Sequence, residues 1–362
     1  MRLRGTALIT AVASVVLAGT AVAAPRPAAQ GWSVADLTRL PGNETLSDLA
    51  VTGRTSAWAV GGSWQGAEDS ALVYRWNGGT WNRVALPSQV DEELSEVDAS
   101  SDKDVWAFGR RGSADPALKA FRWNGAAWQA SVVEQGDVTL YDADVVSPSD
   151  VWLAASGSSG AQPLRHWNGR TWTAVSAPGR VYSLHVTSAK SGWAVGVDDE
   201  GRPQALRWDG TAWRPTTLPR LPIPEGGNAT LDSVLALSPA NVWAVGATSR
   251  LVGDDEEFTP IVLHWNGTAW RTVTTPAYAF GLSNLAADGS GGLWMQGGVD
   301  TLVRYSGGTW STAPRPTVPQ SDGVFGPMAN VPGTGGMLGV GWVRPWGAPE
   351  DDASDGAFYK AG

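Results

Sequence analysis

The sequence of 362 residues contains no cysteine and carries a formal net charge of −9 at pH 7. Without cysteine no disulfide can form, so the stability of the fold must come from packing. The negative charge argues against nucleic acid as a partner, because nucleic-acid binding depends on basic residues that neutralise phosphates. Cations or basic partners suit such a chain better.

The first 23 residues have the organisation of a secretory signal peptide. Arg2 and Arg4 precede an apolar stretch, and Ala21-Val22-Ala23 supplies small residues at a cleavage position. The sequence predicts a signal peptide (1–23), a Pro/Ala-rich linker (24–30) and one domain (31–362). We therefore expect a secreted, extracellular bacterial protein with no membrane span after cleavage. The alternative is a retained N-terminal anchor, because the apolar stretch is long.

Two short phrases recur along the chain, and successive copies of the second are 41 to 51 residues apart. The first occurs as RWNGGTW (75–81), RWNGAAW (122–128), HWNGRTW (166–172), RWDGTAW (207–213), HWNGTAW (264–270) and RYSGGTW (304–310). The second precedes it as AWAVGG (57–62), VWAFG (105–109), VWLAA (151–155), GWAVG (192–196), VWAVG (242–246) and LWMQGG (293–298), with MLGVG (337–341) as a seventh copy. A period of this length is typical of propellers and other repeat folds.

Each repeat contains four short apolar runs separated by turn residues, which predicts four β-strands. We name them a, b, c and d in chain order. Strand b is the VWAVG run, and strand c ends at the first tryptophan of HWNGTAW. Asn-Gly then predicts a two-residue type I′ hairpin into strand d, because both central residues of that turn need positive φ. The sequence therefore predicts an all-β fold, a seven-bladed β-propeller of four-stranded antiparallel blades.

The two ends of the chain are expected to share the last blade. The seventh repeat stops at AFYKAG (357–362), which aligns with ALRWDG (205–210) and lacks strand d. In the other blades strand d begins at the tryptophan of a Gly-x-x-Trp segment. The missing strand d has its counterpart near the other terminus, at Gly31 and Trp32. We therefore predict that the N-terminal strand completes the last blade and closes the ring.

The repeat resembles the kelch repeat, in which a strand ending in Gly-Gly precedes an aromatic turn, a tryptophan and a proline. AWAVGG (57–62), YRWNGGTW (74–81) and Leu86-Pro87 carry this resemblance in blade one, whereas other blades often keep one glycine. The similarity to Asp-box and WD-repeat propellers is weaker. Copper oxidases with kelch propellers need a cysteine for their radical cofactor, and this chain has none. The resemblance implies a propeller without fixing a function, because one fold hosts many functions.

Position within the repeat separates scaffold from candidate binding surface. The a–b and c–d turns are short and share one face of the disc, which we call the uniform face. The d–a and b–c loops vary in length and share the opposite, variable face, where binding residues are expected to concentrate. The b–c loop of blade five, for example, reads ATSRLVGDDEEFTP (247–260). Acidic residues crowd the variable face at positions 91–93, 198–200, 254–257, 350–352 and 355.

Strand a is the innermost strand of each blade, and its polar side chains are expected to line the central channel. Side chains alternate along a strand, so the two neighbours of the aligned apolar residue both point away from its side of the strand. In blades one to four these neighbours include Asp48, Glu96, Asp98, Asp142, Asp144, Ser183 and His185. Carboxylates from three blades and an imidazole from a fourth are therefore predicted to converge.

The sequence leaves three interpretations of this cluster open. Asp98, Asp142 and Asp144 would supply oxygen ligands for Ca²⁺ or Mg²⁺, both of which prefer carboxylates, and Ca²⁺ is the candidate cofactor. Glu96, Asp142 and His185 would act as general acids or bases if crowding raised a carboxyl pKa. In the third interpretation, the acids bond to backbone N–H groups of neighbouring blades and close the channel.

Aromatic side chains add a second set of candidates. Tyr141 and Tyr182 each precede a channel position and offer stacking surface for a sugar. Trp342 and Trp346 lie in a variable segment near the closing blade and suit contact with a carbohydrate or a protein. Together with Asp48, the other channel acids and His185, these aromatics form the predicted ligand-binding set.

The leading functional hypothesis is an exported monomer that binds an extracellular protein or glycan through its variable face. The alternative is a polysaccharide-active lyase or hydrolase that uses the channel carboxylates with His185. A binding module would bind without turnover, whereas the enzyme would release a product. The sequence favours the binding module and leaves the question of catalysis open.

Overall fold

A computed structural model describes residues 31–65, 68–86, 93–111, 116–157, 164–348 and 354–362. The predicted signal peptide and linker lie outside these residues. Within the described ranges the chain forms 28 β-strands, and no helix is long and apolar enough to cross a membrane. The strands assemble into seven four-stranded antiparallel sheets, which confirms the predicted all-β seven-bladed propeller.

The blades follow one another in chain order. Blade one contains β2 (Asn43–Gly53), β3 (Ser56–Gln65), β4 (Glu68–Trp76) and β5 (Trp81–Arg83). Blades two and three contain β6 (Leu94–Ser101), β7 (Asp104–Arg111), β8 (Ala117–Trp123), β9 (Trp128–Gln135), β10 (Val138–Ser147), β11 (Asp150–Gly157), β12 (Leu164–Trp167) and β13 (Trp172–Val175). Blades four and five contain β14 (Arg180–Ser188), β15 (Ser191–Val197), β16 (Pro203–Trp208), β17 (Trp213–Thr216), β18 (Asn228–Ser238), β19 (Asn241–Val252), β20 (Asp255–Trp265) and β21 (Trp270–Thr272). Blades six and seven contain β22 (Leu282–Ala287), β23 (Leu293–Gly297), β24 (Thr301–Ser306), β25 (Thr309–Pro314), β26 (Ser321–Asn330), β27 (Met337–Pro345), β28 (Asp355–Ala361) and β1 (Trp32–Leu37).

The first strand of each blade surrounds the axis of the ring. β2 contacts β6, and the same contact continues through β10, β14, β18, β22 and β26 until β26 returns to β2. In blades one to six the other three strands follow outward in sequence order, and in blade seven β27, β28 and β1 follow β26. Side chains of the innermost strands therefore define the central channel, as the sequence predicts.

The N-terminal strand completes the last blade, which confirms the predicted closure. β1 pairs with β28 from Trp32↔Ala361 to Leu37↔Ala357. The Trp32 ring packs edge-to-face on Phe325 of the same blade, with ring centroids 4.9 Å apart. The two ends of the chain are thus held in one sheet, and the ring has no open blade edge between its termini.

Edge-to-face tryptophan pairs join five of the seven blades to the next blade. The strand-b tryptophan of blade four, Trp193, meets Trp270 of blade five edge-to-face, with ring centroids 5.1 Å apart at 85°. Edge-to-face pairs are a favoured arrangement of aromatic rings and add to the energy of area burial. The equivalent pairs are Trp58–Trp128 (5.5 Å), Trp106–Trp172 (5.9 Å), Trp152–Trp213 (5.7 Å) and Trp294–Trp32 (5.8 Å). The high tryptophan content is therefore explained by repeated packing between blades.

The residue before the first tryptophan of each HWNGTAW-like phrase also belongs to the scaffold. The His264 imidazole stacks on Trp243, with centroids 4.3 Å apart, and its Nε2 lies 2.9 Å from Asn241 Oδ1. The same oxygen accepts a 2.9 Å hydrogen bond from Trp243 Nε1. His166 with Asp150 and Arg122 with Asp104 repeat this pairing, whereas Arg304 pairs with Asp288 in the a–b turn of its blade and Arg75 pairs with Asp102 of blade two.

The turn after strand c differs from the predicted two-residue hairpin. In blade five the last paired residues are Trp265 and Trp270, so four residues separate the strands. Gly267 has a φ of +95°, whereas Asn266 is not among the residues with positive φ. Asn266 Oδ1 accepts hydrogen bonds of 3.1 Å from the N–H groups two and three residues further on. The type I′ prediction is wrong here, because the asparagine side chain closes the turn instead.

Candidate functional site at the channel mouth

A cavity of about 560 Å³ lies where the innermost strands of all seven blades converge. Its lining includes these sequence-predicted residues: Asp48, Glu96, Asp98, Tyr141, Asp142, Asp144, Tyr182 and His185. The structure therefore brings to one cavity every predicted ligand-binding residue except the two tryptophans of blade seven.

A β-bulge shapes this lining. In β10 the ladder with β11 slips between Leu140 and Asp142, and both Tyr141 and Asp142 line the cavity. The same slip occurs in β14 before Ser183 and in β18 before Ser233. A bulge re-aims a side chain that strict alternation would turn away, which is why two consecutive residues reach the channel.

Four of the channel acids tie their blade to the next one. The Asp142 carboxylate in blade three accepts a 2.8 Å hydrogen bond from the backbone N–H of Leu184 in blade four. Equivalent bonds run from Val97 N–H to Asp48 (2.8 Å), from Val145 N–H to Asp98 (2.6 Å) and from Val186 N–H to Asp144. Further round the ring, the hydroxyls of Ser183 and Ser233 accept from Val234 N–H (3.2 Å) and Leu285 N–H (3.1 Å). These bonds agree with the interpretation in which the acids close the channel.

Glu96 departs from this pattern. Its carboxyl hydrogen-bonds to the carboxyl of Asp48, and burial raises the pKa of Glu96 well above its usual value. Burial also raises the pKa of Asp48, to about 8, but Asp48 accepts backbone N–H groups from Val97 and Leu49. Those donors favour the charged form of Asp48, so the proton resides on Glu96. The half-buried pair therefore keeps at least one proton at neutral pH, and Glu96 holds it the more tightly.

His185 is a neutral member of the cavity lining. Burial lowers the pKa of its imidazole to about 4. Among the described residues it forms no hydrogen bond or ion pair with Glu96 or Asp142. The three catalytic candidates thus line one cavity without the carboxylate–imidazole pairing that orients a histidine base.

The predicted calcium site at Asp98, Asp142 and Asp144 stays a prediction. Asp98, Asp142 and Asp144 line the cavity, but no three acidic or histidine side chains in the described part of the chain are arranged to hold a metal ion. Each of these carboxylates instead accepts a backbone N–H from the neighbouring blade. Those bonds fix each carboxylate at its own blade interface, which works against convergence on one cation.

Tyr141 and Tyr182 lie side by side in the lining of the cavity. Their rings pack edge-to-face, with centroids 5.6 Å apart. Tyr182 also lines a second depression of about 800 Å³ between blades four and five, which we call the inter-blade groove. The groove is polar, with Arg180, Asp198, Asn228 and Thr230 in its lining. The cavity and the groove therefore share one aromatic side chain.

The floor of the inter-blade groove is held in place by hydrogen bonds. Gln204 donates through its side-chain amide to the carbonyls of Pro178 (2.7 Å) and Val197 (2.8 Å). Gly179 has a φ of +60°, and a Cβ there would lie 2.2 Å from the Val197 carbonyl oxygen. Backbone N–H donors, first that of Arg202, hold the pKa of Asp198 below its usual value. The groove is thus a preformed feature of the fold.

Sequence reasoning missed Asp232. It is the bulge residue of β18, lines the cavity and accepts a 3.2 Å hydrogen bond from Thr230 Oγ1. Burial raises the pKa of its carboxyl. A signal was present, because Asp232 precedes Ser233 just as Tyr182 precedes Ser183. The position before the channel serine therefore predicts a lining residue in blade five as well as in blade four.

Trp342 and Trp346 lie on blade seven, outside the lining of both the cavity and the groove. Trp342 is half-buried in β27, where it pairs with Val324. Trp346 is 66% exposed, and its Nε1 donates a 3.0 Å hydrogen bond to Asp322. Their predicted role in ligand contact stays a prediction, at a position separate from the cavity.

The b–c segment of blade five forms a hairpin where the sequence predicts a loop. β19 and β20 pair without interruption from Val242↔Trp265 to Val252↔Asp255. The acidic positions 254–257 lie at the tip of this hairpin and are exposed. The acidic positions 91–92 and 350–352 lie outside the described residues.

Comparison with known proteins supports the fold. No family model and no curated protein matches the sequence. A structure of YCF48 bound to D1 peptide shares 17% identity at a TM-score of 0.56, covering 91% of this chain and 96% of that chain. YCF48 from Cyanidioschyzon merolae shares 16% identity at a TM-score of 0.56, covering 91% of this chain and 98% of that chain. The GH74 xyloglucanase from Xanthomonas campestris shares 13% identity at a TM-score of 0.56, with 90% of this chain and 55% of that chain covered.

Proposed function

We propose that the protein is an exported binding module whose variable face holds an extracellular glycan or protein segment at the mouth of the axial cavity. One observation carries this proposal: Tyr182 lines both the axial cavity and the inter-blade groove. A ligand at this junction would contact an aromatic ring and reach polar groups on both sides. Concave sites with a few convergent polar groups are the usual form of ligand sites.

The chemistry of the junction suits a sugar. The carboxylate of Asp232 and the amide of Asn228 offer acceptors for hydroxyl groups, and Tyr182 offers a ring on which an apolar sugar face can stack. The charges of Arg180 and Asp198 are opposite in sign, so these two residues do not favour a ligand of strong net charge. An uncharged oligosaccharide therefore fits this site better than a highly basic one.

The fold itself is compatible with either class of ligand. One of the similar structures is YCF48 bound to D1 peptide, and another is a xyloglucanase. At identities of 17% and below, this likeness shows only that such propellers carry different functions. The choice between glycan and protein thus rests on the junction residues of this chain.

Binding to a panel of uncharged oligosaccharides, measured by isothermal titration calorimetry, tests the proposal. We expect saturable binding that Tyr182→Ala weakens by about tenfold or more, the loss expected when a stacking ring is removed. Trp346→Ala is the matched control, because it removes an exposed aromatic from the same face outside the cavity. Loss of binding in Trp346→Ala with none in Tyr182→Ala would place the site on blade seven and contradict the proposal.

The same panel separates binding from the predicted lyase or hydrolase. A binding module leaves the oligosaccharides intact over long incubation, as chromatography of the mixture would show. Release of shorter products that depends on Glu96, Asp142 or His185 would replace the binding proposal with the enzyme.

A further inference from the structure

Strand β20 leaves much of its outer edge unpaired. It runs from Asp255 to Trp265, but β21 pairs only with its last three residues. The N–H of Val273 adds one 2.8 Å bond to the carbonyl of Val262. Among the described residues, no other hydrogen bond reaches the outer side of the backbone over 255–261. At about 3.4 Å per residue, this edge is about 24 Å long.

The direction of the free backbone groups follows from the Val262 bond. In an antiparallel strand, the N–H and C=O of alternate residues point to the same side. Because the carbonyl of Val262 points outward, those of Pro260, Phe258 and Glu256 do too. Pro260 has no N–H, so the edge offers the N–H groups of Phe258 and Glu256 and three carbonyl oxygens. Such a row is a template for an added strand.

The side chains around this edge select the partner. Asp254, Asp255 and Glu256 are exposed at the hairpin tip, and the nearby Glu257 is paired with Arg250 at 2.8 Å. A second copy of the chain would bring the same acids against this edge, and like charges directly opposite are destabilising. A strand with basic side chains would instead neutralise them.

Apolar surface beside the acids adds to this preference. Leu251 is 75% exposed and Phe258 is 38% exposed. Their side chains lie on one face of the hairpin, because Ser249 pairs with Phe258 and Leu251 lies two residues beyond Ser249. A partner strand that alternates basic and apolar residues would therefore meet both features.

We propose that the outer edge of β20 binds an extended basic peptide segment of another protein, which adds to blade five as a further strand. Main-chain hydrogen bonds would supply affinity, and the acids with Phe258 would supply specificity. This site lies on the blade-five hairpin and is distinct from the Tyr182 junction. The peptide proposal is therefore independent of the glycan proposal.

Fluorescence anisotropy with a labelled, end-capped peptide of about nine residues, alternating lysine and valine, tests this site; that length covers the edge. We expect saturable binding that Phe258→Pro weakens by about tenfold, because proline removes one outward N–H. The inward ladder with β19 does not use that N–H, so the melting temperature should not change. The triple variant Asp254→Lys, Asp255→Lys, Glu256→Lys should weaken binding at least as much.

The matched control carries Asp199→Lys, Glu200→Lys and Glu225→Lys, an equal change of charge at exposed positions outside the hairpin. It should bind the peptide nearly as well as the wild type. Equal loss in this control, or undiminished binding by Phe258→Pro, would overturn the proposal in favour of diffuse attraction. Absence of saturable binding would also overturn it, as would a wild-type dimer that Phe258→Pro converts to a monomer.

Discussion

The strand-b tryptophan has a hydrogen-bond acceptor in some blades and lacks one in others. In blade three, Asp150 accepts the Trp152 indole N–H at 2.9 Å. The equivalent residue in blade four is Ser191, and the buried Trp193 indole N–H has no partner there among the described residues. A buried donor without an acceptor costs free energy, so blade four carries a local defect.

We therefore predict that Ser191→Asp stabilises the protein. The new carboxylate would accept the Trp193 indole N–H and lie near Arg207, whose guanidinium is 5.8 Å from the Trp193 ring. The expected gain in unfolding free energy is about 1 kcal/mol, measured by chemical denaturation. Ser56→Asp is the control in blade one, where Ser56 already donates to Asp102 and a second carboxylate would repel the first. Because the Trp58 indole N–H of blade one also has no partner among the described residues, only the repulsion from Asp102 separates the two variants, and a Ser191→Asp variant no more stable than the wild type would contradict this explanation.

The raised pKa values of the Glu96–Asp48 pair make stability depend on pH. Because burial raises the pKa of Glu96, the folded state keeps a proton that the unfolded chain releases near pH 4. Stability therefore falls as pH rises from about 4 toward the raised pKa of the pair. The same burial raises the pKa of Asp48 to about 8, so this loss extends into the neutral range.

Glu96→Gln should remove this loss, because the amide imitates the protonated carboxyl. We expect the variant to match the wild type at about pH 4 and to exceed it by about 1 kcal/mol at pH 8, or roughly 2 °C in melting temperature. Melting curves across this pH range make the measurement. Glu225→Gln removes the same charge from an exposed loop and should keep the wild-type slope. An unchanged slope in Glu96→Gln would show that the pair is ionised.

At the scale of elements, the blades depend on their tryptophan contacts. Trp270 in β21 is buried, packs on Trp193 at 5.1 Å and donates a 3.0 Å hydrogen bond to Thr216. Trp270→Ala should therefore cost about 3–5 kcal/mol of unfolding free energy. Trp346→Ala should change it by less than about 0.5 kcal/mol, because Trp346 is largely exposed. Similar values in denaturant titrations of the two variants would contradict the packing role.

The strands were predictable from the sequence because each VWAVG and HWNGTAW phrase places the same residue types at the same positions in every blade. Local geometry was less predictable. The turn at Asn266 depends on side-chain hydrogen bonds that the Asn-Gly dipeptide does not specify. The segment 247–260 carries many polar residues, so its sequence does not indicate a strand pair. In the structure the ladder between β19 and β20 continues through it.

The candidate site was predictable in position and less so in chemistry. Alternation along strand a correctly predicted that Asp142 and its equivalents line one cavity. It could not predict that Asp142 would accept the N–H of Leu184, because that bond depends on how two blades pack. The inter-blade groove arises from the same packing, and Asp232 reaches the cavity through a bulge that breaks alternation.

For the whole molecule, closure by β1 is the main structural expectation to test. A chain that begins after Leu37 would lack strand d of blade seven and would expose the buried Phe325 and Tyr359. We expect a fall in melting temperature of about 10 °C or more, since several kcal/mol of burial are lost. A chain that begins at residue 31 retains β1 and serves as the control. Equal melting temperatures for the two chains would show that the ring does not need its N-terminal strand.

We propose that the variable face binds ligand and that the uniform face is scaffold. Hydrogen–deuterium exchange with and without the tightest-binding oligosaccharide of the panel distinguishes the two faces. Bound ligand should slow exchange at the starts of β14 and β18 around Tyr182 and Asp232, and leave the turn at Asn266 unchanged. Protection at the Asn266 turn and its equivalents, with none at Tyr182, would contradict the claim.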